Sequence, residues 1–282
     1  MKNYLFEIKK ALATWLVMLL FAPVCFASES ESVAEFKRSH HCIQCDLRYA
    51  SFAGSRLDDV NLTGAYLFNA NFKKCLMGDA VMRSAILTNA QLQYADLTRA
   101  DLEKASLQDA DLNGVTLLGA NLTFANLDGA KMEAAELSDA ILTTASMVGA
   151  NMPNLFAVNA QFRNTNLSRA NLKSARLNGA NMEGANLNGA RLVNAVLTNT
   201  DLRGAQLKQA DLSGASLEFA NLSQANLQNA ILAGAILNGA NLQDADFSGA
   251  DLSKIDLNGV FFEGANLCRA KMPDGSSGIC GH

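Results

Sequence analysis

The segment HHCIQCD, residues 40–46, places two histidines, a C-x-x-C pair and a carboxylate within seven positions. Residues of those types at that spacing suit zinc ligation or a reversible dithiol–disulfide couple. Asp46 stands where c-type haem attachment would require a histidine after Cys45, which excludes haem. Other chemistry is hard to assemble. The only histidines are His40, His41 and His282, so no Ser/His/Asp constellation can be drawn from the body of the chain. The glycines do not follow G-x-G-x-x-G, so no phosphate cradle is expected. Carboxylates are plentiful, but they recur at regular outward positions and read as solvated surface rather than a catalytic pair. No catalytic residue, cofactor or resident metal is expected.

The elements that must position these residues are set by a period of five. In GANMEGANLNGARL, residues 179–192, Ala180 and Met182, Ala185 and Leu187, Ala190 and Leu192 repeat at that spacing. An α-helix would rotate such residues by about 140° per step and leave no apolar stripe. A straight strand would send successive leucines to opposite faces, because side chains alternate. The chain must therefore turn once per repeat. Stepping by five from Leu47 to Met272 gives 46 positions, of which 33 are Leu and the rest Phe or Met except Ala157. With that residue as position i, slot i−2 is Ala in 36 cases, slot i−1 favours Asp or Asn, and Gly recurs at i+2. No insertion shifts the phase. One stretch is disturbed: in MPNLFAV (152–158), Leu155 takes the Ala slot and Ala157 the Leu slot.

The pattern A-(D/N)-L-x-x, met by Ala95-Asp96-Leu97 and Ala120-Asn121-Leu122, resembles the pentapeptide-repeat family over about four-fifths of the chain. The resemblance implies an all-β fold, a right-handed quadrilateral parallel β-helix with one pentapeptide per face and four per coil. Residues 42–272 would form about eleven coils in a rod about 55 Å long. Leu at i and Ala at i−2 would point inward. Residues 28–41 form the expected N-terminal cap, with SVAEFKRS (32–39) as a short helix across the first coil, and 273–282 form a C-terminal tail. In this phase Cys42 and Cys45 both face inward. The C-x-x-C-(D/N)-L opening resembles starts in other family members, so buried small side chains or a local disulfide is the plainer reading. Cys268 and Cys280 are placed to clip the tail to the last coil, and Cys75 reads as a buried thiol.

Residues 1–27 are different in kind. Lys2, Lys9 and Lys10 precede the apolar run ALATWLVMLLFA (11–22), and a small residue, Ala27, precedes Ser28. This reads as a secretory signal peptide cleaved after Ala27, since the run is shorter than the roughly 18–20 residues a membrane span needs. Val24 before Cys25 argues against a lipoprotein signal. The mature chain would be exported, to the periplasm or outside the cell in a bacterium, with no stable membrane span. Its 20 basic and 26 acidic residues give a charge of −6, with no basic stripe, so no nucleic-acid partner is expected. Five cysteines remain in an oxidising compartment, an odd number that leaves at least one unpaired.

Together these features point to an exported, non-enzymatic scaffold that offers flat faces to a protein or cell-surface partner. Two alternatives stand beside it. The resemblance raises mimicry of DNA by a cytoplasmic, topoisomerase-binding protein, and Cys42 with Cys45 raises a redox or metal-binding role. The expected binding face carries Leu76, Leu118, Phe156, Val158, Val196, Phe219 and Ile236 in outward slots. It also holds eight carboxylates against Arg56, Arg99 and Arg176, a net of −5. Several of these apolar residues are expected to lie one coil apart and merge into a patch. A bulge at MPNLFAV would present Phe156 and Val158 further.

Overall fold

The computed structural model describes residues 31–257 and 259–280; the expected signal peptide lies outside them. Single-residue parallel bridges join positions twenty apart from His41↔Asn61 to Asp251↔Lys271, the series lacking only Ile236 to Asp256 among the described residues. Each coil therefore takes twenty residues, four repeats of five, and the bridged residue is always i−1. No helix among the described residues is long and apolar enough to cross a membrane.

One repeat shows why the sequence closes this way. The Leu187 N–H donates to the carbonyl of Gln206 at 2.6 Å and that of Gly189 to Lys208 at 2.8 Å, both in the following coil. Asn186 N–H donates back to Thr165 at 2.9 Å, and Ala190 N–H closes the corner onto the Leu187 carbonyl at 3.0 Å. The fifth donor, Asn188 N–H, is taken by the Asn186 side-chain oxygen at 3.1 Å. Every backbone N–H of the repeat is thus bonded, four by backbone and one by the residue before Leu. That last bond is the physical reason for Asp or Asn at i−1: the short side chain carries an acceptor that reaches two residues on.

The corner itself demands a left-handed residue. Every i+2 position from Gln44 to Arg269 has φ between 52° and 73°, as the third residue of a type II turn requires. Glycine fills 16 of these positions and L-residues fill the others. Non-glycine residues are strained there by roughly 1–2 kcal/mol each. The coil-to-coil bonds hold them in place.

The core is a column. From Val60 to Ile255 no inward residue is more than 5% exposed. At MPNLFAV the exchange is volume-compensated: Leu155 and Ala157 are both fully buried, and the bridges Glu136↔Phe156↔Arg176 run on without a break. The face does not bulge there, contrary to the sequence expectation, because the extra bulk at one inward slot is matched by the loss at the next. Thr165 and Thr200 also sit in Ala slots, and each hydroxyl donates to an inward carbonyl, Leu142 at 2.7 Å and Leu177 at 2.9 Å. Buried Cys75 does the same with Phe52 at 2.8 Å.

Helix α1 (Glu31–Ser39) covers the first coil. Glu31 in its first turn and Lys37 and Arg38 in its last suit the helix dipole. It buries Val33 and Phe36, and the Phe36 ring meets Phe52 edge-on at 5.1 Å, which in turn stacks on Phe72 at 5.2 Å. His40, with φ 56° and its N–H on the Phe36 carbonyl, stops the helix with a left-handed cap. At the other end Arg269 and Met272 donate to Gly278 and Ser276, so the tail returns antiparallel along the last coil.

Candidate functional site

At the N-terminal end, Cys42 and Cys45 are joined in a disulfide, Cys42 buried and Cys45 half-buried. His40 and His41 beside them are exposed. Among the described residues no group of three or more His, Cys, Asp or Glu is placed to hold a metal ion. Both sulfurs are committed to each other, so in this oxidised form neither is free to ligate a metal. Cys268 and Cys280 form the second disulfide, and Cys75 is a free, buried thiol whose pKa is raised by desolvation. Next to the cap, the Arg48 guanidinium grips the Asp46 carboxylate at 2.6 and 2.8 Å, pulling its pKa down to about 2.

The expected binding residues lie on one face. The bridges run Arg56, Leu76, Asp96, Thr116, Glu136, Phe156, Arg176, Val196, Ser216 and Ile236 in a single column at i−1. Leu118 and Val158 occupy i+1 and Phe219 occupies i+2 of the same face. Leu76, Leu118, Phe156, Phe219 and Ile236 are exposed, while Val158 and Val196 are half-buried.

They do not merge into a continuous patch. In the column every apolar residue is flanked above and below by polar or charged neighbours, so Leu76 lies between Arg56 and Asp96, and Phe156 between Glu136 and Arg176. The Arg176 guanidinium stands 5.6 Å over the Phe156 ring, a cation–π contact that leaves this side chain 38% exposed. Phe219, 64% exposed, lays its ring against the backbone of Gly239, where an added Cβ would come within 2.6 Å of it. The net charge of the face is also partly paired, with Arg56 on Asp58 at 2.8 Å and the Arg99 guanidinium on Asp79, whose pKa it lowers.

An apolar residue at i−1 removes the acceptor that caps the i+1 N–H. At Leu76 the coil below supplies it: the Asp58 carboxylate accepts from Gly78 at 3.2 Å. At Phe156 Ser138 does so for Val158 at 3.3 Å. Sequence reading placed the residues on this face correctly but did not see these replacements, which couple residues twenty apart. The same replacement from the preceding coil serves polar slots as well, Asn113 accepting from Glu133 at 2.8 Å and Asn188 from Lys208 at 2.9 Å.

A parallel β-solenoid with a twenty-residue coil, capped by a helix and carrying exposed side chains on flat ladders, is the class of protein that this geometry defines. The family model for pentapeptide repeats matches overlapping segments between residues 41 and 274, and the chain belongs to that family. Among solved structures it is similar to HetL, a pentapeptide repeat protein involved in heterocyst differentiation regulation in the cyanobacterium Nostoc sp. strain PCC 7120. The identity is 30% over 87% of this chain and 95% of that one, with a TM-score of 0.32. A pentapeptide repeat protein of the Arabidopsis thaliana thylakoid lumen is 34% identical over 35% of this chain and 65% of its own, with a TM-score of 0.27. QnrB1, a plasmid-mediated fluoroquinolone resistance protein, is 18% identical over 77% of this chain and 90% of its own, with a TM-score of 0.30. Among curated proteins none matches.

Proposed function

We propose that the protein is an exported, non-enzymatic rod of about eleven right-handed quadrilateral coils that docks a protein partner on the acidic, apolar-studded face. One observation carries the reading. Leu76 and Phe156 take slots whose usual residue caps the backbone, and the cap is restored from the neighbouring coil, so exposed apolar side chains stand there without loss of the backbone bond. They stand on a bonded ladder rather than a loop, which lowers the entropy lost on docking. Because the apolar side chains are spaced rather than merged, the partner would meet them as separate anchors set among carboxylates. Export is part of the proposal and rests on the character of residues 1–27. The DNA-mimicking reading has less support, because Arg56 and Arg99 offset Asp58 and Asp79 on the face that would carry it.

The test is crosslinking in the native compartment followed by binding measurements with the recovered partner. Phe156→Lys with Phe219→Lys should abolish binding, whereas Asn188→Lys with Asn229→Lys on another face should leave it intact. Melting curves of both pairs show whether the rod survives the substitutions. Equal loss from both pairs in folded protein would overturn the assignment of the face.

A further inference from the structure

Arg48, Arg99, Arg163 and Arg203 are each answered by a carboxylate, from Asp46, Asp79, Glu183 and Asp201 in turn. One stretch lacks such answers. No Asp or Glu occurs between Asp139 and Glu183, more than two coils, in a chain of net charge −4. Folding gathers there cations that the sequence scatters. The ladder Lys131, Asn151, Asn171, Arg191 and Asp211 runs along one flat side of the rod. The turn residues i+1 and i+2 form the corners, so this ladder is bordered by the turn before each of its members and the turn after it. Arg169 and Lys208 stand on the first border, Lys173 on the second, and Arg191 between them. All four are exposed, and none has an ion pair among the described residues. Asp211 closes the patch, its carboxylate held by the Ser213 N–H and hydroxyl at 3.0 and 2.6 Å. Arg191 also takes an i−1 slot. The Val193 N–H that an Asp or Asn there would cap has no protein acceptor among the described residues, so the side chain at 191 adds no bond to the ladder.

We propose that this side of the rod binds a linear acidic polysaccharide, with its carboxylates on the four cations and its hydroxyls on the polar groups between them. Charge selects a polyanion, since four unpaired cations form a local positive field on an otherwise acidic rod. Spacing selects a polymer. The cations step along three successive coils, about 10 Å from first to last at about 4.8 Å per coil. A chain of acidic sugars can follow them, whereas one small anion would meet only a part. The neighbouring groups select sugar. Asn151, Asn171, Asn194, Ser168 and Ser174 supply donors and acceptors for hydroxyl groups. Gly189, without a side chain, lies in a shallow groove whose walls include Arg169 and Lys208. No aromatic ring stands on this side, so nucleic-acid bases have no stacking platform. Its apolar residues Val148, Pro153 and Val193 are half-buried and give a membrane little to take up. None of the four cations is among the apolar residues of the docking face, so glycan binding and protein docking are separable.

Calorimetric titration with polygalacturonate tests this on protein purified from its own compartment, in about 0.1 M salt, where charges more than about 10 Å apart are largely screened. Wild type should bind saturably and release the polymer as salt is raised to about 0.5 M. Arg169→Ser, Lys173→Ser, Arg191→Asn and Lys208→Ser together should weaken binding at least about tenfold with an unchanged circular dichroism spectrum. Lys73→Ser, Lys74→Ser, Lys254→Ser and Arg269→Ser remove the same charge elsewhere and should leave the affinity within about twofold. Equal loss from both sets, binding that ignores salt, or no saturable binding by wild type would overturn the site. Tighter binding of duplex DNA or of phosphatidylglycerol vesicles than of polygalacturonate would overturn the sugar.

Discussion

Gly149→Ala isolates the strain that every corner carries. Gly149 has φ +64°, and a Cβ added there meets no atom within 4 Å, so the substitution changes backbone preference and nothing else. Holding an L-residue in the left-handed region costs about 1–2 kcal/mol, and the stiffer unfolded chain returns about 0.4–1. The midpoints of the two ranges leave a net loss of about 0.8 kcal/mol, a fall of roughly 2–3 °C in Tm for a domain of this size. Ala134, at φ 52°, is the reciprocal case, and Ala134→Gly should gain a similar amount. Gly239→Ala combines the same backbone cost with a 2.6 Å collision against Phe219, so its loss should exceed that of Gly149→Ala by about 1–3 kcal/mol. Guanidinium titration followed by circular dichroism gives all three. If Gly149→Ala is silent while Gly239→Ala is costly, contact sterics rather than backbone conformation select glycine, and the account of the corner is wrong.

Other outcomes follow from the same geometry. Leu187→Ala, at a fully buried site between Leu167 and Leu207, should lose about 2–5 kcal/mol, and a loss below about 0.5 in denaturant unfolding would contradict its inward placement. Ile236→Asn should supply the cap that isoleucine lacks and gain about 0.5–1 kcal/mol; a destabilised variant would mean that the i−1 acceptor is not what the slot rewards. Asp46, Asp79 and Asp201 have folded pKa values held below the usual 3.8 chiefly by side-chain hydrogen bonds from Arg48, Arg99 and Arg203. Their contribution is present above pH 4 and is lost as pH falls toward about 2, the value for Asp46. The triple Arg→Gln variant should therefore show a smaller drop in Tm between about pH 5 and about pH 2 than wild type, and an equal drop would remove these pairs from the explanation.

The column of Leu and Ala was legible because a period of five admits no straight helix or strand, and the buried residues are the ones that period selects. The preference for Asp or Asn before Leu was visible as composition, but its cause, the orphan N–H at i+1, needed the bonds of the folded coil. The left-handed i+2 slot was harder to read, since Phe124, Tyr94 and Lys104 occupy it as well as glycine. Their φ is dictated by neighbouring coils and not by local preference. The expected bulge at Pro153 failed for a related reason: Leu155 and Ala157 conserve volume as a pair, and a residue-by-residue reading treats them as two separate faults. On the candidate face, which side of the coil each residue occupies was set by number alone. That the apolar residues are spaced by charge, and that Arg176 covers Phe156, depended on side-chain geometry that the repeat does not encode.

The most direct measurement is photocrosslinking from a benzophenone side chain placed at position 156, with position 188 as the control, in cells carrying the full chain. The account predicts a discrete protein adduct from position 156, recovered in an extracytoplasmic fraction and absent from position 188. Adducts of equal yield from both positions, or an adduct found only in the cytoplasm, would contradict it.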